Sequence, residues 1–326
     1  MFSFIKKVSL VLALSSMFSC SSKAPTSSRG WFEENQKVKV LSSIAMIDDL
    51  VGRVGGDRID HTSLISGEID PHSYELVKGD DEKIAHADIL FYNGLNLEHG
   101  ASLCYKMQKH PCAIAVADAV RLKHPELILM IGETVDPHLW MDILAWSYTI
   151  DPIVDALVRA DPEGASYYIA NAEDLRREML SVHQKVYTLL QNVPEEKRFL
   201  VTSHDAFGYF TKSYLATPEE VSSGEWKKRF AAPEGLAPDG QLSSRDIQSI
   251  MDHLLAHDID VVFPESNVSQ DSLKKIISAS REKKHEVRFS KKVLYGDAMG
   301  SYDDPVSSYL EMIEKNAESL VNEWQK

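Results

Sequence analysis

Four residues in this sequence combine a metal-ligating side chain with a stiff or structured setting. His72 lies in Ile69-Asp70-Pro71-His72-Ser73-Tyr74-Glu75, and His138 in Val135-Asp136-Pro137-His138-Leu139-Trp140-Met141-Asp142. A proline before each imidazole fixes φ and stiffens the loop that carries it. His204 follows the apolar run Leu200-Val201-Thr202-Ser203, with Asp205 beside it as a cap for the next helix. Asp297 sits in Leu294-Tyr295-Gly296-Asp297-Ala298-Met299-Gly300, again where a strand ends. Three neutral imidazoles and a carboxylate suit Zn(II), Fe(II) or Mn(II) and not Cu(I), which prefers sulfur. Asp136, Glu75 and Asp142 are candidate acceptors that would orient imidazole N–H groups, although Asp142 also reads as a helix cap. The other nine histidines, His61, His86, His99, His110, His124, His183, His253, His257 and His285, share no common setting. The His72–His138 and His138–His204 intervals are both 66 residues, but the flanking sequences do not repeat beyond the two Asp-Pro-His triplets.

The elements that must position these groups alternate between strand and helix. Val38–Ser42, Arg58–Ile65, Asp88–Tyr92 and Ala113–Val120 read as strands. Helices are expected over Ile44–Val54, ending at Gly55-Gly56, and over Asp80–His86. A second set follows: strands at Arg198–Thr202, Asp258–Phe263 and Glu286–Leu294, and helices near 205–215, 244–257 and 270–283. This βαβ rhythm predicts two α/β lobes with mostly parallel sheets. Between them one helical stretch runs from Pro162 to about Val193, where Pro194 stops it. Tyr168, Ala170, Leu175, Met179, Val182, Val186 and Leu189 fall on one face. Such a rod is about 45 Å long and implies limited hinge motion between the lobes. The resulting layout is a signal at 1–20, a tether at 21–36, an N-terminal lobe at 37–160, a connecting helix at 161–193 and a C-terminal lobe at 194–326. All four candidate ligands then fall at strand carboxyl ends or helix starts, where open α/β sheets bind ligands.

Composition narrows the function classes. The chain has 326 residues, 35 Lys+Arg against 49 Asp+Glu, and a net charge of −14. That balance leaves no basic stripe for nucleic acid and suits a cationic ligand. Lys6 and Lys7, the short apolar run Val8–Phe18 and the small residues after it make an export signal too short to span a bilayer. Cys20 invites lipid modification, although Phe18 is large for the position two before such a cysteine. Ser21–Arg29 reads as a tether. The remaining pair, Cys104 and Cys112, is expected to form a disulfide in an oxidising compartment.

The set of His72, His138, His204 and Asp297, around a long central helix and behind an export signal, resembles the metal-binding receptors of ABC transporters, the TroA-like family. Within it, Asp70–Glu75, Ser223-Gly224-Glu225-Trp226 and Pro233-Glu234-Gly235-Leu236 are similar to the chlamydial YtgA type. The resemblance implies two α/β lobes joined by a rigid helix, one divalent ion (Fe, Mn or Zn) in the interlobe cleft as transported ligand, and a periplasmic monomer delivering it to an inner-membrane permease. Many zinc-specific relatives carry a His/Asp/Glu-rich loop, and this sequence has none. Affinity is expected to fall below about pH 6.5 as the imidazoles protonate. Two other classes stay open on the residues alone. A metal-dependent hydrolase would need an open coordination position and a general base, and no His-Glu-x-x-His helix occurs. A surface adhesin or scaffold would leave the four residues as ordinary loop groups.

Overall fold

A computed structural model describes residues 31–238, 242–300 and 306–325. The export signal, Cys20 and most of the tether lie outside them. Trp31, within the stretch expected as tether, is buried and packs edge-on against the His86 ring, so the packed body already includes that residue.

The N-terminal lobe is built on four parallel strands, β1 (Val38–Ile44), β2 (Ile59–Ile65), β3 (Ile89–Tyr92) and β4 (Ala113–Ala115), in the order β2-β1-β3-β4. β1 is buried along almost its whole length, as a central parallel strand covered on both faces must be. Helix α1 (Ala45–Gly55) buries Met46, Ile47, Leu50, Val51 and Val54 and stops at Gly56, whose φ of 52° favours glycine. Helices α2 (Asp80–His86) and α3 (Ala101–Lys109) precede β3 and β4.

The expected strand Ala113–Val120 is corrected here. Only its first three residues are β4; α4 (Val116–Lys123) follows at once and buries Val116, Ala117 and Val120, a helical spacing. A short run of alanines and valines does not distinguish the two periods by itself. A small antiparallel hairpin, β5 (Met130–Ile131) and β6 (Thr134–Val135), then leads into α5 (Ile143–Ser147) and α6 (Ile150–Ala160).

The connector is α7 (Ala165–Gln191), 27 residues and so about 40 Å long, preceded by a 3-10 turn at Pro162–Gly164. Asp161 anchors its start: the carboxylate accepts from Gly164 N, from Tyr168 Oη at 2.7 Å and from Arg58 Nε at 2.7 Å. The buried face is Tyr168, Ala172, Leu175, Met179, Val186 and Leu190. Ala170, expected on that face, is exposed, because the stripe follows i, i+4, i+7 from Tyr168.

In the C-terminal lobe the strands are shorter than the sequence suggests. They are β7 (Leu200–Val201), β8 (Phe230–Ala231), β9 (Val261–Val262) and β10 (Arg288–Phe289). β7 pairs parallel with β8 and β9 with β10, and the parallel bridge Thr202–Phe263 joins the pairs in the order β8-β7-β9-β10. The run expected over Glu286–Leu294 breaks where Ser290 Oγ turns the chain onto Lys292, and pairing resumes only as a bridge from Leu294 to Glu265. The expected helix at 205–215 begins only at Gly208, as α8 (Gly208–Phe210), and widens into a π turn over Thr211–Leu215. Asp205 does not cap it; its N–H donates to Gly235 O and the residue is half-buried. After α9 (Pro218–Ser223), helices α10 (Ser244–Ala256) and α11 (Asp271–Glu282) cover this sheet.

The last helix, α12 (Tyr309–Trp324), packs against both α7 and α1. One hydrophobic core runs from the N-terminal sheet through α7 to Phe207, Phe263, Leu294 and α12, while a smaller core lies between α10, α11 and the C-terminal strands. Cys104 and Cys112 are free, so the expected disulfide is absent here; Cys104 Sγ donates instead to Glu98 O at 3.0 Å. No helix among the described residues is long and apolar enough to cross a membrane.

Candidate metal centre

The two Asp-Pro-His triplets fold into the same local turn. In the loop after β2, Asp70 Oδ1 accepts the His72 N–H at 2.9 Å; in the loop after β6, Asp136 Oδ1 accepts the His138 N–H at 3.0 Å. An aspartate that bonds the backbone two residues on makes such a turn, and the intervening proline holds it. The turns differ in the second carboxylate contact. Asp70 takes the Ser73 hydroxyl at 2.7 Å, whereas Asp136 lies 2.7 Å from His138 Nδ1.

His204 is placed by the end of β7, and the residue that holds it comes from another strand. Glu265, three residues past β9, accepts the His204 N–H at 2.9 Å and faces His204 Nδ1 at 2.8 Å. Gly296 makes room for this carboxylate: a Cβ there would lie 2.3 Å from Glu265 Oε2. Asp297, the next residue, then points its carboxylate at all three imidazoles. Its Oδ2 is 2.9 Å from His204 Nε2 and 3.5 Å from His72 Nε2; its Oδ1 is 3.4 Å from His138 Nε2. The His72 and His138 Nε2 atoms are 3.2 Å apart.

All four side chains are buried, and their ligand atoms lie within 4.8 Å of one another. Four donors about 2.1 Å from a common ion would be separated by tetrahedral edges of about 3.4 Å. The distances from 2.9 to 3.5 Å bracket that edge. With a carboxylate at Nδ1 of both His138 and His204, the proton belongs on Nδ1 and the Nε2 lone pair faces the centre. Burial opposes charge on His204, but Glu265 and Asp297 overcome it and hold this imidazole well above its usual pKa. Burial likewise raises Asp297, and the surrounding imidazoles His204 and His138 more than offset it, keeping the carboxyl well below the ordinary range. Such a nest of three imidazole nitrogens and a carboxylate can bind one cation of intermediate hardness through four or five donor atoms.

The centre also joins the lobes. Trp140, two residues after His138, donates Nε1–H to Gly296 O at 2.9 Å, and Tyr309 Oη donates to Trp140 O at 2.7 Å. All four sequence-expected ligands thus converge. Among the expected orienting carboxylates only Asp136 does so. Asp142 caps α5 and accepts the Ser213 hydroxyl, and Glu75 makes no hydrogen bond to an imidazole among the described residues. Glu265 was the omission; it follows the strand candidate Asp258–Phe263, so the same strand-end rule reaches it. His99, grouped with the scattered histidines, lies against His72 with ring centroids 5.8 Å apart.

Comparison with known proteins identifies the family. The family described as zinc-uptake complex component A, periplasmic (ZnuA), matches residues 40–323. The metal-binding protein YtgA of Chlamydia pneumoniae is 42% identical over 268 residues, 82% of each chain. The manganese-binding lipoprotein MntA of Bacillus subtilis is 30% identical over 287 residues, 88% of this chain and 89% of the relative. The crystal structure of Fe(III)-bound YtgA from Chlamydia trachomatis superposes with a TM-score of 0.82 at 36% identity, covering 88% of this chain and 98% of that one. The expected family resemblance and the two-lobed fold are therefore borne out, and the hydrolase reading gives way. The chain belongs to the ZnuA family of metal-binding transport receptors.

Proposed function

We propose that this protein captures one divalent transition metal ion outside the cytoplasm and delivers it to an ABC permease. His72 and His138 from the N-terminal lobe (37–160) and His204 and Asp297 from the C-terminal lobe (194–326) are the ligands, with the connector (161–193) holding the lobes in register. The observation that carries the reading is the convergence of four buried ligating groups, from four separate loops, with ligand atoms within 4.8 Å of one another. A single chain supplies every ligand, so the site is complete within a monomer. The acidic balance of the chain favours approach of a cation. The signal at 1–20 exports the protein, and Cys20 is the point at which a lipid would anchor it.

The cargo is Fe, Mn or Zn. Relatives are named for manganese and one is solved with Fe(III), while the family is described by zinc. Intrinsic affinity for nitrogen-rich sites rises from Mn(II) through Fe(II) to Zn(II), so selectivity in the cell rests on supply, geometry or release.

The test is bound metal by elemental mass spectrometry. Wild-type protein is compared with His72→Ala, Asp297→Ala after anaerobic incubation with equal Zn, Fe(II) and Mn(II). About one equivalent in the wild type, lost in the double variant, is expected. Absence of metal from both proteins would refute the reading and favour a scaffold.

A further inference from the structure

The three imidazoles of the cluster are not held alike. Nδ1 of His138 faces the Asp136 carboxylate at 2.7 Å and Nδ1 of His204 faces the Glu265 carboxylate at 2.8 Å, whereas the buried Nδ1 of His72 has neither a hydrogen-bond partner nor a paired carboxylate among the described residues. Outside the cluster itself, the ring that lies against His72 is His99, with centroids 5.8 Å apart and planes inclined by 31°. His99 is exposed while His72 is buried, so the pair leads from solvent into the cluster.

The seat of His99 is a braced loop. The neighbouring Glu98 is buried, and its carboxylate accepts from Asn93 N, Gly94 N and Ser43 Oγ at 2.8, 3.1 and 2.7 Å. Leu95 and Asn96 adopt positive φ, 51° and 62°, to let the chain turn back on that carboxylate. Gly100 approaches the His72 loop so closely that a Cβ would lie 2.5 Å from Tyr74 O. Asn93 Nδ2 also donates to Pro137 O at 3.0 Å, tying the same loop to the second Asp-Pro-His turn.

We infer that His99 is a positioning residue of the metal site. Its ring covers His72 on the solvent side and restrains the one imidazole that no carboxylate orients, so His72 is the ligand whose swing governs how fast the ion leaves. This rests on the reading that the cluster holds the transported ion. In other imidazole sites the group behind each ligand fixes ring orientation, and its loss costs affinity; here an imidazole face takes that place.

The experiment follows Zn(II) release into excess chromogenic chelator by stopped flow, using the mature chain, His99→Ala, His99→Phe and His72→Ala. His99→Ala should still bind one equivalent but release it about tenfold faster. His99→Phe keeps a flat ring without a donor and should release at close to the wild-type rate. Wild-type release from His99→Ala, or release from His99→Phe as fast as from His99→Ala, would overturn the inference while leaving the site intact. Failure of the wild type to take up Zn(II), or retention of it by His72→Ala, would instead bring down the reading of the cluster. Matching thermal melts of the His99 variants establish that folding is unchanged, since this residue is exposed.

Discussion

At the scale of single residues, the proposed site depends on the carboxylates behind its imidazoles as well as on the Asp297 carboxylate among them. Glu265 accepts the backbone N–H of His204 with one oxygen and faces the ring Nδ1 of the same residue at 2.8 Å with the other. A carboxylate can do that with two oxygens; an amide offers one oxygen and one NH2, which would confront an N–H donor with another donor. Glu265→Gln should therefore lower metal affinity about 10–100-fold, read by competition against a chelator of known affinity. Asp142→Asn is the matched control, because Asp142 serves as a helix cap and asparagine caps equally well. Loss of affinity in the control variant, or none in Glu265→Gln, would contradict this division of roles.

At the scale of elements, helices carry the lobes into contact, and one contact is titratable. Asp49 lies on α1, where that helix meets α12. Burial pushes its carboxyl up to about 6, against the pull of Arg53 and the Tyr309 backbone N–H. A carboxyl whose pKa is higher folded than unfolded keeps its proton in the native state. The native protein then binds more protons than the unfolded chain between about pH 4 and pH 6, so stability falls as pH rises through that window. Asp49→Asn cannot ionise and still accepts from Tyr309 N–H. Its denaturant midpoint should decline less from pH 4 to pH 6 than that of the wild type, and an identical decline would show that this carboxyl does not matter. Asp205, also raised to about 6 by burial, leaves part of the slope in place.

At the scale of the whole molecule, the lobes are tied at more than one place. α7 runs between them, α12 packs on both α7 and α1, and one continuous core spans the junction. Trp140 further bonds the loop of His138 to the loop of Asp297. Wide hinge opening would expose this shared core at a large hydrophobic cost, so exchange of an ion at the proposed site would rely on local ligand movement. Stripping metal with a chelator should leave the radius of gyration by small-angle scattering unchanged within error. A clear expansion would point to a hinge that these contacts do not suggest.

What the sequence determined by itself was the chemistry and the order of elements. Imidazoles fixed behind prolines, a carboxylate at a strand end and an uninterrupted helical period over the connector are local properties, written in neighbouring residues. Asp-Pro-His specifies its own turn, and so His72 and His138 could be read directly. Tertiary structure decided what depends on residues distant along the chain. Glu265 supports His204 across 61 positions, and Trp140 reaches Gly296 across 156. A strand end marks Glu265 as a candidate, but which imidazole it meets, like the reach of Trp140 to Gly296, is set by the strand order alone. The same holds for Ala113–Val120, where packing of Val116, Ala117 and Val120 chose a helix for a run whose composition allowed either period. His99 is the clearest case. Nothing near it in sequence marks it out, and only the braced 93–100 loop, pressed onto Tyr74 through Gly100, sets its ring against His72.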